Sequence, residues 1–336
     1  MATLSDVAAR VGVSKSTVSR ALSRPELVAP ATAERIRRAA HELNFVVNRA
    51  ASGLATGRTG IVAIVVPNLD NHFFTPIIVG AQQRAEAEQR QLTIAANPLE
   101  TDGQLRDLER LARQVDGVIV AAPLGPDERV REVCRIRPSV LVDREVAGVP
   151  SVVADLATAF GALAGHLVDQ GHRSIAYLGG PRGSWQNAQR IRAVTDRTAG
   201  RAALTLLGPM PPTFAAGAQA AADVLASGAS VAIPYATQVG LGLVFALRAR
   251  GVNAPQDLLV TTESLINAAV HDEWTPAIDV DGVALGAAAM DLLTEELDAR
   301  TPVPARTLRM PVLVTLPRTG PDSRPGQATE ASAASS

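Results

Sequence analysis

From Gly60 onward short apolar runs alternate with amphipathic stretches, and this alternation constrains the fold more than any other feature of the 336 residues. Ile61-Val62-Ala63-Ile64-Val65-Val66 is an uninterrupted apolar run ended by Pro67 and Asn68. Such a run suits a strand buried on both faces, as in a parallel sheet. A helical stretch from Pro76 to Gln91 follows, then a strand at 92–96. The pattern continues as helix 103–114, strand 117–121, helix 127–136, strands 139–142 and 151–154, helix 157–170 and strand 174–178. Helix 186–198, strand 203–207, helix 215–227, strand 230–233, helix 238–250 and strand 258–262 come next, and strand 277–280, helix 284–299 and strand 306–315 close it. Repeated βα units of this length predict an α/β protein with doubly wound parallel sheets. So many strands fit two sheets better than one. Hydrophobic residues are 47% of the chain and aromatics only 3%, so the core must be built from Ala, Val, Leu and Ile.

Residues 1–58 have a different texture. They hold nine basic groups against four acidic ones in a chain of net charge −1, a basic head on an acidic body, which suggests a polyanion partner for the head. Three short helices fit residues 4–43. Thr3 can cap the first, with Asp6 in the acidic capping position, and Leu4, Val7, Ala8 and Val11 form its inner face. Gly12 ends it, and Ser14 caps a second helix that faces Val18, Ala21 and Leu22 inward. The third runs from Ala31 to Leu43, with Ile36, Ala39, Ala40 and Leu43 on one side. The outer face of the second helix then carries Ser14, Lys15, Ser16, Thr17, Ser19 and Arg20. A helix with that face can lie in a major groove, where Arg20 can pair bidentately with a guanine. Any Ser/Arg-rich helical hairpin shares this pattern, so the residues alone leave both readings open.

The motif as a whole decides between them. Thr3-Leu4 with Asp6-Val7-Ala8, Gly12-Val13-Ser14, Thr17-Val18-Ser19-Arg20-Ala21-Leu22 and Glu42-Leu43-Asn44-Phe45 resemble the lactose-repressor/galactose-repressor (LacI/GalR) family of bacterial regulators, and the likeness extends to about residue 316. The resemblance implies a sequence-specific transcriptional regulator, a repressor, that binds a pseudo-palindromic operator as a homodimer. Its residues matching Lys15, Ser16 and Arg20 choose bases, and those matching Ser14, Thr17, Ser19 and Thr32 grip phosphates. Leu4 and Phe45, near the ends of the motif, join the DNA-contacting set. Residues 47–57 resemble the family's hinge helix, which orders on operator DNA, with Asn48, Ala51 and Leu54 at the family's positions. Leu54 would be the wedge that unstacks a minor-groove step; the alternative is a passive linker. Val47 replaces the usual Pro and Ser52 the usual Arg. The expected organisation is a helix-turn-helix head (1–46), a hinge (47–59), a two-lobed effector and dimerisation domain resembling the periplasmic binding proteins (60–318) and a disordered tail (319–336).

In that two-lobed domain the resemblance implies a small-molecule effector between the lobes, held by Asn71, Phe73, Phe74, Asp143, Trp185, Arg190, Tyr235, Thr237 and Glu263. Arg190 matches an arginine that holds sugar hydroxyls, and Trp185 could stack on an apolar ligand face. Bland readings stand beside these: Phe73 and Phe74 as core, Asp143-Arg144 as an internal ion pair, His172 as a packing residue. The second lobe departs from the family. Ala236-Thr237 replace an Asn-Asp pair, Thr262-Glu263-Ser264 a Gly-aromatic-Asp, and Pro276-Ala277-Ile278-Asp279 a Pro-Leu-Thr-Thr. Each unpaired buried polar group costs about 1–3 kcal/mol, so an ordinary free hexose is not the expected effector. A sugar derivative, another metabolite or no effector at all remain.

Two other classes can be weighed. A transporter's solute-binding protein would share the core, but it needs a secretion signal and has no use for residues 1–58. The N-terminus shows no basic region followed by an apolar run, and no apolar run is long enough to span a bilayer, so a cytoplasmic protein without membrane contact is expected. An enzyme would need a Walker loop, zinc-ligand spacing or a nucleophile elbow, none of which is present. Cys134 is the only cysteine. No cofactor and no metal are expected.

Overall fold

The head folds where the sequence places its caps. Helix α1 (Leu4–Val11) starts with a reciprocal box in which Thr3 Oγ1 accepts from the Asp6 amide at 3.4 Å and the Asp6 carboxylate accepts from the Thr3 amide at 2.8 Å. It stops at Gly12, whose φ of 72° is a left-handed turn that a side chain would strain. Helix α2 (Lys15–Ser23) is capped by Ser14, whose hydroxyl accepts from the Thr17 amide at 3.1 Å. Pro30 occupies the first position of α3 (Pro30–Glu42), where its missing N–H costs nothing. Val7, Ala8, Val11, Val18, Ala21, Ala33 and Ile36 meet inside. Val7, Val18 and Ile36 are fully buried, and burial of each contributes roughly 1.5–3 kcal/mol.

The computed structural model describes residues 2–23, 27–45, 58–253, 257–261, 275–299, 301 and 304–316. The expected hinge residues Asn48, Ala51 and Leu54, the cleft residue Glu263 and the tail lie outside them. The chain divides into two units, Met1–Thr59 and Gly60–Ser336.

The larger unit follows the βα alternation. Its elements are β1 (Ile61–Val66), α4 (Phe74–Ala87), β2 (Gln91–Ala96), α5 (Asp102–Ala112), β3 (Gly117–Ala121), α6 (Asp127–Cys134), β4 (Ser139–Val142), β5 (Ser151–Ala154), α7 (Leu156–Asp169) and β6 (Ser174–Leu178). Then come α8 (Trp185–Thr198), β7 (Ala203–Leu207), α9 (Phe214–Gln219), α10 (Ala221–Ala226), β8 (Val231–Pro234), α11 (Thr237–Arg248) and β9 (Leu259–Val260). The last are β10 (Ala277–Asp279), α12 (Gly282–Asp298), β11 (Thr307–Met310) and β12 (Leu313–Thr315).

Two parallel sheets result, ordered β11-β5-β4-β3-β1-β2 and β7-β6-β8-β9, with a short antiparallel pair β10-β12. Each parallel sheet is buried on both faces, which is why its central strands read as unbroken apolar runs. The chain passes between the lobes at Asp155, at Val280–Asp281 and at Pro311–Val312, because β5, α12 and β11 pack in the first lobe while α7 and the β10-β12 pair pack in the second. Helix α12, which starts at the second crossing, lies in backbone contact with α4: a Cβ on Gly286 would lie 1.9 Å from the Ile77 carbonyl oxygen.

Many element ends shift by a few residues, and three differences have an identifiable place in the sequence. The single strand 306–315 is two strands in different sheets, split at Pro311, which can donate no ladder hydrogen bond. The helix 215–227 is two helices meeting at Ala220. Helix α4 begins two residues before Pro76, which sits within the first turn, where proline is tolerated.

Candidate functional site

On α2 the helical phase turns Val18 and Ala21 into the head's core and leaves Lys15, Ser16, Ser19 and Arg20 exposed, with Thr17 half-buried. The Ser14 hydroxyl lies 2.8 Å from both Ser16 Oγ and Thr17 Oγ1, so three hydroxyls cluster at the N-terminal end of the helix. Several other cations of the head are engaged. Arg10 pairs with Glu42 at 3.3 Å, Arg37 with Glu34 at 2.5 Å, and Arg35 donates to the Val11 carbonyl at 2.9 Å. Among the described residues Lys15 and Arg20 are exposed and form no ion pair. Thr32 is half-buried in the first turn of α3. Leu4 and Phe45 are half-buried against the core, and the Phe45 amide donates to the Ala40 carbonyl at 2.8 Å. The structure therefore gives both a packing duty, whatever edge they present outward.

The second candidate is a cleft of about 460 Å³ between the lobes of the larger unit, within the size range of small-molecule sites. Its walls include Asn71, Phe73, Phe74, Asp143, Arg190, Tyr235 and Thr237, seven of the nine positions expected there. Trp185 is not one of them. Ser184 caps α8, accepting from the Asn187 amide at 3.2 Å, and the phase that follows turns Gln186 and Arg190, four residues apart, toward the cleft and Trp185 elsewhere.

From the first lobe, two hydrogen bonds shape the loop after β1. Asn68 Oδ1 accepts from the Asn71 amide and Asn71 Oδ1 from the Phe73 amide, each at 3.1 Å. Phe73 and Phe74 meet edge to face, 5.6 Å between centroids; Phe74 lines the cleft and also belongs to the core beneath. Asp143 follows β4 with a φ of 54° and is 2% exposed, a strained conformation of the kind that clusters at functional sites. Its Oδ1 accepts from the Ala154 amide and from Gln186 Nε2, each at 2.9 Å, and the second bond joins the lobes. Oδ2 is buried without a partner. Burial pushes the carboxyl above the ordinary carboxylate range, against the pull of these two hydrogen bonds and of the Arg190 charge. Arg144 does not pair with Asp143; its guanidinium meets Asp127 at 2.7 Å and donates to the Pro123 carbonyl at 2.7 Å.

On the second-lobe wall two aromatic rings meet the Arg190 side chain. The Arg190 guanidinium lies 4.7 Å from the centroid of Phe160 and 4.6 Å from that of Tyr235. Its Nη1 donates to the Tyr235 carbonyl at 2.7 Å, and Nε is buried without a partner. The Tyr235 hydroxyl is 3.0 Å from Ser184 Oγ, and its ring rests on Gly180, where an added Cβ would come within 2.7 Å of three ring carbons. Asn187 is likewise engaged, its Oδ1 accepting from the Tyr177 hydroxyl and the Gly180 amide at 3.0 Å. Phe160, Gln186 and Thr261 are wall residues that sequence reasoning missed. Phe160 reads as an apolar residue on a buried helix, which it also is. Gln186 had one available signal, its four-residue spacing from Arg190.

His172 pairs with Ser230 at 2.7 Å outside the cleft walls. Burial pushes the Cys134 thiol up to about 11, a proton-bearing thiol rather than a nucleophile. Among the described residues no group of three His, Cys, Asp or Glu side chains could hold a metal ion, and no helix is long and apolar enough to cross a membrane.

Comparison with known proteins joins the two sites. Residues 59–314 match the family of periplasmic binding proteins and sugar binding domain of LacI family, and residues 3–48 match the bacterial regulatory proteins, lacI family. The chain is 26% identical over 313 residues to catabolite control protein A of Priestia megaterium, covering 89% of this chain and 93% of that protein. It is 33% identical to the maltose regulon regulatory protein MalI of Escherichia coli K12 over 194 residues, about half of each protein at 56% and 57%. The lac repressor dimer bound to operator and the anti-inducer ONPF shares its fold, with a TM-score of 0.78, 22% identity and coverage of 93% of this chain and 97% of that one. The chain belongs to the LacI family of bacterial regulatory proteins, a DNA-binding head followed by a periplasmic-binding-protein-like ligand domain.

Proposed function

We propose that the chain is a repressor that grips a pseudo-palindromic operator as a homodimer and is controlled by a small molecule in the inter-lobe cleft. The observation that carries this reading is the outer face of α2. Lys15 and Arg20 keep their charge for an external partner beside the Ser14, Ser16 and Thr17 hydroxyls, while Arg10, Arg35 and Arg37 are engaged within the head. In this reading Lys15, Ser16 and Arg20 read base edges, Ser14, Thr17, Ser19 and Thr32 position phosphates, and Leu4 and Phe45 brace the head against the duplex. Asn48 and Ala51 order with the hinge on DNA, and Leu54 wedges the minor groove.

Pairing of two chains is supported by large apolar side chains left at the surface, Val79 and Ile94 on the first lobe and the tilted pair Phe214 and Phe245 on the second. The lac repressor similar in fold is a dimer on its operator, which favours the same assembly here. The effector is not an ordinary free hexose: Ala236 lines the cleft where a polar pair is usual, and Arg190 already spends a donor on Tyr235.

A gel shift with DNA from the gene's own promoter region tests this. The full chain is expected to retard the fragment, and a chain starting at Gly60 to fold normally and retard nothing. Equal retardation by both would place DNA binding outside the head and overturn the proposal. An effector-independent regulator would retard DNA identically with and without every metabolite tried. A transporter's binding protein would bind solute and no DNA.

A further inference from the structure

The stretch that enters helix α8 in the second lobe, Gly183 to Gln186, meets the first lobe at the ends of three neighbouring strands, β3, β4 and β5. Past β3 the contact is backbone on backbone. A Cβ on Gly183 would lie 2.1 Å from the Leu124 carbonyl oxygen, and its φ of +77° is one that a side chain would strain. Only glycine allows this approach. At β4 and β5 the contact is Gln186. It is 4% exposed, and its Nε2 donates to Asp143 Oδ1 at 2.9 Å and to the Ala154 carbonyl at 3.1 Å. Both amide hydrogens are thereby engaged by first-lobe oxygens. Arg144, held within the first lobe by Asp127 and the Pro123 carbonyl, adds a longer bond to the Gly183 carbonyl at 3.5 Å.

Each of these contacts joins atoms of the chain itself. Hydrogen bonds in a low-dielectric interior are electrostatically stronger than in water, and parting the lobes would break both Gln186 bonds at once. The partners are also held in place beforehand. The Ser184 cap fixes the phase of α8 and so the direction of Gln186. Asp143 Oδ1 accepts from the Ala154 amide at 2.9 Å, which ties the acceptor to the end of β5. We infer that Gly183 and Gln186 form a clasp that fixes the angle between the lobes through the chain's own contacts, so that closure of the cleft does not wait for a bound molecule. The inference stands whether or not the cleft takes an effector.

Distances between two spin labels test it on the full chain with no ligand added. Cys134→Ser serves as background, and the labels sit on Arg106→Cys of α5 and Ala222→Cys of α10, exposed sites on the two lobes. This parent chain is expected to show one narrow separation. Gln186→Leu removes both donors and should raise the population of wider separations about tenfold. Gly183→Ala should move the main separation outward, because its methyl meets a backbone oxygen. Ser184→Ala is the control: the Ser184 hydroxyl bonds to Asn187 and Tyr235 of the second lobe, so its loss should leave the separation unchanged. A broad or divided separation in the parent chain overturns the inference. So does retention of the parent separation by either Gln186→Leu or Gly183→Ala. An equal widening by Ser184→Ala also overturns it, since that would mark a frayed helix rather than a clasp. Should Gln186→Leu fail to fold, the parent chain and Gly183→Ala decide the matter.

Discussion

Removing the Arg20 side chain gives the sharpest test of how the head is used. Arg20 is exposed and forms no ion pair among the described residues of the head, so Arg20→Ala leaves no buried partner behind. Its effect on unfolding should stay within about 0.5 kcal/mol. On DNA the loss is large. One bidentate arginine–guanine contact discriminates by about 1–3 kcal/mol. A symmetric dimer makes the contact twice, giving about 2–6 kcal/mol, or roughly 30-fold to 20,000-fold in affinity. Fluorescence anisotropy against a site selected from random DNA reads this directly, and changing each base of the half-site tells where the loss falls. If Arg20 reads a base, discrimination relaxes at one position per half-site and the salt dependence is nearly unchanged. A loss that is uniform across sequences, with a slope of log K on log salt shallower by about 1.8, would mean two phosphate contacts and no base reading. That result would refute the role given to Arg20.

Other expectations follow from single features. Thr3→Ala breaks the reciprocal cap of α1 and should destabilise an isolated head by about 1 kcal/mol in thermal unfolding, with no change in the larger unit. Asp143 has its carboxyl raised by burial, so the stability it confers is complete below its unfolded value of 3.8 and falls as pH rises through the raised value. The stability difference between wild type and Asp143→Asn should therefore move against wild type as pH climbs through that window, and a difference flat with pH would rule out a raised value. Gly286→Ala places a methyl 1.9 Å from the Ile77 carbonyl oxygen, a backbone atom that cannot swing aside. It should cost about 1–3 kcal/mol or more in denaturant unfolding of the larger unit.

The sequence announces some of this architecture and conceals the rest for physical reasons. The strands were legible because burial on both faces removes polar residues from them, as in Ile61 to Val66. The head was legible because its helix ends depend on local chemistry, the Thr3-Asp6 box and Gly12. The break at Pro311 was written in the sequence, but the residues on either side are both strand formers, and only tertiary pairing sends Met310 and Leu313 to different sheets. The cleft was half legible. Arg190 and Asp143 stand where they were expected, yet what they do there depends on neighbours distant in sequence. The Phe160 and Tyr235 rings both lie against the guanidinium, and Gln186 reaches Asp143 across the lobes. Trp185 failed for want of helical phase, since the Ser184 cap sets which residues of α8 face the cleft.

Genome-wide mapping of the chain's binding sites in its own cell tests the central claim most directly. The account predicts a small set of discrete sites sharing a pseudo-palindrome whose half-sites lie about one helical turn of DNA apart, all lost when Lys15 and Arg20 are replaced by alanine. Binding that is diffuse, lacks a two-fold motif or survives those replacements would contradict it.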